Sequence, residues 1–411
     1  MQTYLVGGAV RDHLLNYPVK ERDWVVVGAT AEQMLNLGYQ QVGKDFPVFL
    51  HPETKDEHAL ARTERNTAPG YKGFEVHASP DVRLEDDLIR RDLTINAIAQ
   101  DESGNIIDPY NGLADIKSRT LRHVSPAFSE DPVRILRVAR FAARYHHLDF
   151  KIADETMSLM QRMVNNGEVN ALVPERVWQE FHKALTELNP QIFIQVLREC
   201  SALKIILPEI DALFGVPQPP EHHPEIDTGI HTMMVLKQAA LLSDNPATRF
   251  AALCHDLGKA LTPEKAWPSH HGHESKGVKP VQQLCKRLRI PNEFKELATL
   301  TAEFHLHIHR AFEIKKATLL KTIERLDGLR KPERYKQILI ACTADIRGRT
   351  GYENQPYPQA EYFLNALKII KAVDIQALKD AGLQGVEMQT AIHKARLSAL
   401  NKQLASKTKN R

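Results

Sequence analysis

The 411-residue chain has only four cysteines, Cys200, Cys254, Cys285 and Cys342. No two of them stand at CxxC or metal-clip spacing. That excludes a disulfide scaffold or a thiolate-bound zinc module and reads as reduced, buried thiols in a cytoplasmic protein. No stretch approaches the ~18 uninterrupted apolar residues of a membrane-spanning helix, and the first eight residues, MQTYLVGG, lack the basic start and apolar run of a secretory leader. No strand is studded with the aromatic residues on which RNA bases stack, so an RNA partner would be recognised by shape and phosphate contacts. A charge excess is also missing: 54 Lys and Arg stand against 51 Asp and Glu, a net of +3. This excludes a histone-like tail and leaves room for a local basic face. There is no internal repeat. What remains is an ordinary globular composition, 43% apolar and 26% charged, long enough for two or three domains. The one oddity is histidine, 19 in all, with many between His222 and His309.

Three regions follow from the hydrophobic pattern. Residues 1–125 mix strand and helix signals. Tyr4-Leu5-Val6 and Trp24–Val27 are short strand-like runs bounded by glycine, and Ala31–Leu37 reads as a helix ended at Gly38. Thr94–Ile98 and Ile106-Ile107 flank a hairpin turn at Glu102–Asn105. The short connections predict an antiparallel or mixed sheet. From 126 to 220 the pattern is helical, with three- and four-residue apolar spacing over Val133–Tyr145, Asp154–Met163, Glu175–Thr186 and Pro190–Glu199. A Pro-rich stretch, 216–220, is expected to link this to a histidine-rich helical region over 227–330. Residues 331–411 are again helical, with a frayed basic end at Lys407, Lys409 and Arg411.

Gly7-Gly8-Ala9-Val10-Arg11-Asp12 follows the first strand. Paired glycines let backbone approach a phosphate, helix-start amides favour an anion, and Arg11 could add a charge-assisted contact. Alone it is a common strand-to-helix turn. Ten residues on comes Glu21-Arg22-Asp23, with residues 21 and 23 on one face if the strand includes them. Two adjacent carboxylates repel unless a cation lies between them, as metal-assisted phosphoryl transfer requires. Arg90 and Arg91 fall where a helix is expected to give way to a strand. Further along, Pro132 suits a first helical turn capped by Asp131, and Arg134, Arg137, Arg140 and Arg144 then form one basic stripe. Like charges on one face cost a few tenths of a kcal/mol per pair, so the stripe reads as facing phosphates or a nucleotide, against the plainer reading of a solvated face.

Taken in order, GGxVRD, ExD, RRDxTxNA, DPYNG and EDxxR resemble the class II tRNA nucleotidyltransferases, and HPEIDTGIHT and CHDLGK extend the likeness to their bacterial members that carry an HD domain. The resemblance implies an α+β fold: a polymerase-β-like nucleotidyltransferase head with a mixed sheet, followed by all-α neck, body and HD domains. It implies Mg2+ on Glu21 and Asp23, where the family usually has aspartate at both positions. It implies nucleotide contacts from Gly8 and Arg11, with Arg91, Arg137 and Arg140 on the phosphates or sugar, and base reading by Asp131 and Arg134. A carboxylate accepts from an exocyclic amine and a guanidinium donates to a ring nitrogen or carbonyl, so C and A are accepted and G and U refused. Glu64 is the candidate third carboxylate. The implied partners are tRNA, CTP and ATP, with no membrane; the sequence leaves monomer and homodimer open.

His231, followed 24 residues later by His255-Asp256, matches the pattern of HD phosphohydrolases, in which helix-borne His and Asp hold a water-activating divalent metal. A lone His-Asp pair is more often structural. The further histidines at 270, 271, 273, 305, 307 and 309 favour a metal site, with His305 chosen as the next ligand and Asp345 as a candidate final carboxylate. The resemblance implies Ni2+ or Mg2+ here, with phosphatase, 2′-nucleotidase and 2′,3′-cyclic phosphodiesterase activities. The whole then reads as template-independent addition of C, C and A to tRNA 3′ ends. Its rivals are a poly(A) polymerase, an HD hydrolase with a nucleotide-sensing head, and a bare RNA-binding scaffold.

Overall fold

The computed structural model describes residues 1–19, 21–42, 47–66, 74–221 and 223–404, with backbone alone for 64–66 and 74–76. Glu64's side chain and the basic end with Lys407, Lys409 and Arg411 therefore lie outside the described residues. The chain divides into two compact units, Met1–Ile206 and Leu207–Arg411.

Unit 1 opens with β1 (Gln2–Val6), α1 (Gly8–Leu14), β2 (Asp23–Val27), α2 (Ala31–Asn36), β3 (Gln40–Val42), β4 (Val48–Leu50) and β5 (Glu57–Leu60). It continues with β6 (Thr63–Asn66), β7 (Phe74–His77), α3 (Leu84–Ile89), β8 (Ala99–Gln100), β9 (Ile106–Ile107), α4 (Gly112–Lys117) and β10 (Thr120–Leu121). Then follow α5 (Val133–Tyr145), β11 (Lys151–Ile152), α6 (Asp154–Asn165), α7 (Pro174–Thr186), α8 (Pro190–Glu199) and α9 (Leu203–Ile206). A seven-stranded mixed sheet runs in the order β3-β4-β5-β2-β1-β8-β9, with β2 and β5 parallel and the other neighbours antiparallel. The Val25-Val26 run is apolar at consecutive positions because both sheet faces are covered. Val25 joins Val6, Leu84, Leu88 and Ala99 on one side, and Val26 joins Met34, Phe49 and Leu60 on the other. Behind the sheet, α5 packs on α7 and α8, burying Ile135, Leu136, Val138 and Ala139.

Two local expectations are corrected. Glu21 precedes β2, which starts at Asp23, so the two carboxylates do not sit on one strand face. Residues 94–96 form a 3₁₀ turn, and the strand pairing with Ile106-Ile107 is Ala99-Gln100, so Arg90 and Arg91 lead into a turn. Side chains explain this. Asp92 Oδ1 accepts from the Leu93 amide and Asn96 Nδ2, each at 2.8 Å, while Thr94 donates to Asp115 at 2.7 Å, and such local bonds compete with a strand ladder.

Unit 2 is helical: α10 (Pro208–Asp211), α11 (Thr228–Leu242), α12 (Pro246–Cys254), α13 (His273–Arg287), α14 (Asn292–His309), α15 (Lys316–Arg325), α16 (Pro332–Arg347), α17 (Pro358–Lys371), α18 (Gln376–Asp380) and α19 (Gly385–Leu404). Helix α14 lies against α12, α13 and α16, burying Phe250, Leu253, Phe294, Leu297 and Ile338. The Pro-rich stretch is no free linker. Val216 and Gln218 are buried, and the backbone of Gln218 bonds to Ile226. Gly258 lets α13 approach: a Cβ there would stand 1.9 Å from the His273 carbonyl oxygen and 2.6 Å from the Gly277 nitrogen. Gly258→Ala should therefore cost at least the ~1–3 kcal/mol of an overpacked core. A thermal melt is expected to fall by several degrees; an unchanged midpoint would contradict the close approach.

Candidate active sites in the two units

Unit 1 carries an open cleft of ≈720 Å³ lined by Gly8, Arg11, Glu21, Asp23, Arg91, Asp131, Arg134, Arg137 and Arg140, the metal- and nucleotide-binding residues singled out from the sequence apart from Glu64, whose side chain lies outside the described residues. Gly7, at φ +66, makes the turn from β1 into α1; a Cβ there would stand 2.8 Å from the Arg91 guanidinium. Only glycine serves at that position.

The arginines do not form a bare stripe. Arg134 donates to the carbonyl oxygens of Ala127 at 2.7 Å and Arg90 at 2.5 Å. Arg137 Nε reaches Asp92 at 2.6 Å, Arg140 Nε reaches Glu180 at 2.6 Å and Arg144 reaches Asp12 at 3.0 Å. Arg11 donates to Asp12 at 2.8 Å and to Asn96. Arg90 and Arg91 hold buried Asp87 at 2.6 and 3.1 Å. Arg140, Arg11 and Arg137 lie 4.3, 4.9 and 5.7 Å from the centre of the Phe141 ring, whose face favours cations. Asp131 receives a two-pronged fork from Arg176, at 3.0 and 2.7 Å. Arg176 escaped the sequence reading, as did Glu180. Both belong to α7, which carries them 40 and more residues from their partners.

Glu21 and Asp23 differ from these. Among the described residues their carboxylates make no hydrogen bond or ion pair. Loss of water pushes the Asp23 carboxyl up; Arg91 opposes this and Glu21 adds to it. Glu57 is a third cleft carboxylate, set beside Asp23 by the parallel register of β2 and β5, and was also missed. Uncompensated carboxylates on a cleft wall fit a divalent cation.

Unit 2 gathers a second set. His231 comes from α11, His255 and Asp256 from the end of α12, His273 from the start of α13, His305 from α14 and Asp345 from α16. All six are buried. Two triads have their ligand atoms within 4.8 Å of one another: His231, His255 and Asp345, and Asp256, His273 and His305. A third, His223, Glu225 and His231, is centred on Glu225 Oε1, 3.0 Å from His223 and 2.9 Å from His231. Helical geometry sets the tautomers. His255 Nδ1 lies 2.7 Å from the Ala252 carbonyl, His273 Nδ1 2.9 Å from that of His270, and His305 Nδ1 2.9 Å from that of Ala302. A carbonyl only accepts, so each Nδ1 carries a proton and each Nε2 faces inward, where the neutral ring would offer its lone pair. Burial pulls His305 down to about 3; at His255 burial opposes, but Asp256 and Asp345 win and raise it to about 8. Asp345 also accepts from His309 Nε2 at 2.6 Å, and Tyr357 lies 2.7 Å from His309 Nδ1, a chain that fixes the carboxylate. His273 and His309 were counted among the histidines that favour a metal site but not chosen as ligands, and Glu225 stood unassigned within HPEIDTGIHT.

A mixed-sheet cleft with carboxylates that lack partners among the described residues, in a chain that also carries a helical His/Asp centre able to hold a metal, defines a nucleotidyltransferase head followed by an HD-type helical unit. The comparisons agree. Residues 3–122 match the poly A polymerase head domain, 149–214 the probable RNA and SrmB-binding site of polymerase A, and 228–350 the HD domain. Multifunctional CCA proteins of Thioalkalivibrio sulfidiphilus and Teredinibacter turnerae are 63% and 62% identical over 97% of this chain, and over 98% and 97% of their own lengths. The chain belongs to the multifunctional CCA protein family. In fold it is similar to the Bacillus stearothermophilus CCA-adding enzyme in complex with CTP, at 22% identity and TM-score 0.64 over 97% of this chain and 88% of that one. It is likewise similar to the Thermotoga maritima enzyme complexed with tRNA, at 20% identity and TM-score 0.64 over 98% and 91%. No described helix is long and apolar enough to cross a membrane.

Asp92 gives a pH test of unit 1. Burial alone would raise its pKa, but Arg137 and the Asn96 hydrogen bond overcome this and hold it well below the usual 3.8. A depressed acid stabilises the fold above its unfolded pKa and loses that contribution as pH falls toward the folded one. Asp92→Asn should lower stability by about 1–3 kcal/mol at pH 7 and flatten the loss of stability below about pH 4. Urea melts across pH 2–7 check this, and parallel curves for the two proteins would refute it.

Proposed function

We propose that unit 1 adds C, C and A to tRNA 3′ ends from CTP and ATP, and that unit 2 hydrolyses 2′,3′-cyclic phosphates, 2′-nucleotides and other phosphomonoesters. The observation that carries the first half is one open cleft that holds pre-positioned guanidiniums together with the carboxylates of Glu21 and Asp23, which have no hydrogen bond or ion pair among the described residues. Glu21 and Asp23 would hold Mg2+, which supplies charge neutralisation of the triphosphate and activation of the attacking hydroxyl. In the reaction the tRNA 3′ oxygen bonds to the α-phosphorus and the bond to pyrophosphate breaks. Gly8 lets the backbone approach the phosphates. Arg11, Arg91, Arg137 and Arg140 meet the triphosphate and sugar already oriented by Asp12, Asp87, Asp92 and Glu180, so little ordering remains to be done on binding. Asp131 accepts from the exocyclic amine of C or A and Arg134 donates to the neighbouring ring acceptor. Glu21, one methylene longer than the family's usual aspartate, would hold the same metal from the segment that precedes β2. Residues 126–220 and 331–411 would bind the tRNA body by shape and phosphate contacts. In unit 2, His231, His255, Asp256 and His305 would hold a divalent ion, Ni2+ or Mg2+, that lowers the pKa of the attacking water.

The direct test supplies tRNA ending at its discriminator base with CTP alone, ATP alone or both, and reads products at single-nucleotide resolution. Two added residues with CTP and three with both are expected. A ladder with ATP alone would make the head a poly(A) polymerase, and no extension at all would leave it a sensor. Asp23→Asn should lower addition by about 10³-fold, several kcal/mol of lost charge stabilisation. His255→Ala should abolish cyclic-phosphate hydrolysis and leave addition intact; loss of both activities would argue against two independent sites.

A further inference from the structure

Unit 2 offers more inward-facing ligand atoms than a single ion needs. Nε2 of His273 and Nε2 of His305 face each other at 3.2 Å. Asp256 Oδ1 lies 3.2 Å from the first and 3.7 Å from the second. With both Nδ1 atoms protonated toward backbone carbonyls, these are three electron-pair donors with no proton to share. They repel unless a cation lies among them. Beside them, His231 Nε2 stands 3.2 Å from Asp345 Oδ1, and His255 Nε2 stands 3.7 Å from Asp345 Oδ2, so this triad too gathers its ligand atoms around one point. Donors about 2.1 Å from one ion lie roughly 3–4 Å from each other, which is the spacing within each triad.

The two triads are joined through one carboxylate. Asp256 directs Oδ1 to His273 and His305, while its Oδ2 lies 3.2 Å from His255 Nε2 and 2.6 Å from Lys259 Nζ. Among the described residues His255 Nε2 and Asp256 Oδ1 have no hydrogen-bond partner, and each residue is only 2% exposed. Buried polar atoms are rarely left so. Each triad holds at least one such atom, so filling one triad alone leaves the other unsatisfied.

We propose that unit 2 binds two divalent cations side by side, one on His231, His255 and Asp345, the other on Asp256, His273 and His305, with the Asp256 carboxylate bridging them. This rests on the reading of unit 2 as a metal-dependent phosphohydrolase and deepens it. A paired centre suits substrates in which the attacking and leaving oxygens lie on opposite sides of one phosphorus, as in a phosphoester displaced in line by water.

The test counts metal. The full chain carrying Asp23→Asn, so that the head carboxylates do not contribute, is stripped with chelator, reloaded with Co2+, desalted and analysed by mass spectrometry. Two Co2+ per chain are expected, falling to one in His273→Gln/His305→Gln and to one in His231→Gln/His255→Gln. Loaded with Mn2+, the parent should show an exchange-coupled electron paramagnetic resonance spectrum that becomes an isolated six-line signal in either double variant. One ion per chain that both double variants abolish, with an uncoupled Mn2+ signal in the parent, overturns the proposal and leaves the hydrolase reading standing. No bound ion at all overturns both. Far-UV circular dichroism screens the variants for folding; should a double variant fail it, the parent's stoichiometry and coupling still decide.

Discussion

The cleft of unit 1 exists because every guanidinium on it already has something to hold. Arginines crowded into one wall would drive the chain apart by mutual repulsion, and burying any one unpaired costs several kcal/mol. Here Asp12, Asp87, Asp92 and Glu180 each take one or more of them, and backbone carbonyls take Arg134. The arrangement neutralises the wall internally and fixes the guanidiniums that line the cleft. A charged ligand then meets groups fixed before it arrives. The carboxylates of Glu21 and Asp23 are the exception, with no hydrogen bond or ion pair among the described residues.

Unit 2 solves a related problem by different means. Its polar centre is built from imidazoles whose outer nitrogens donate to backbone carbonyls three residues back, one near a helix end, one at a helix start and one in a helix interior. Each such bond fixes the ring orientation. It also leaves the inner nitrogens of His255, His273 and His305 facing the centre. Glu225 and the Tyr357–His309 pair extend the same logic outward, fixing His231 and Asp345. The apolar core around Phe250, Phe294 and Ile338 keeps the helices that carry these groups in place.

The head shows how local rules yield to side-chain bonding. Thr94–Ile98 is apolar and branched enough for a strand, yet Asp92, Asn96 and Thr94 bond locally and bend it into a 3₁₀ turn. Arg90 and Arg91 meet Asp87 through the three- and four-residue spacing at the end of α3, and Asp92 just before the turn pairs with Arg137. Helices α5 and α8, by contrast, fall on the residues their apolar spacing indicates, since nothing competes with the backbone there.

Sequence by itself determined the strands at Tyr4–Val6 and Trp24–Val27, the long helices, the GGxVRD, ExD and EDxxR sets and the His231…His255-Asp256 pair, because each is written in neighbouring residues or in a fixed period. The partners of those residues were decided only by tertiary structure. Arg176 reaches Asp131 across 45 positions, Glu180 reaches Arg140 across 40 and Asp345 reaches His231 across 114. Glu57 joins Asp23 through strand register alone. No spacing rule encodes such meetings, since they depend on how helices and strands pack, and packing is a sum over the whole core. Burial then sets the chemistry: the same imidazole that titrates near neutrality in water is pulled to about 3 at His305 and lifted to about 8 at His255 by what surrounds it.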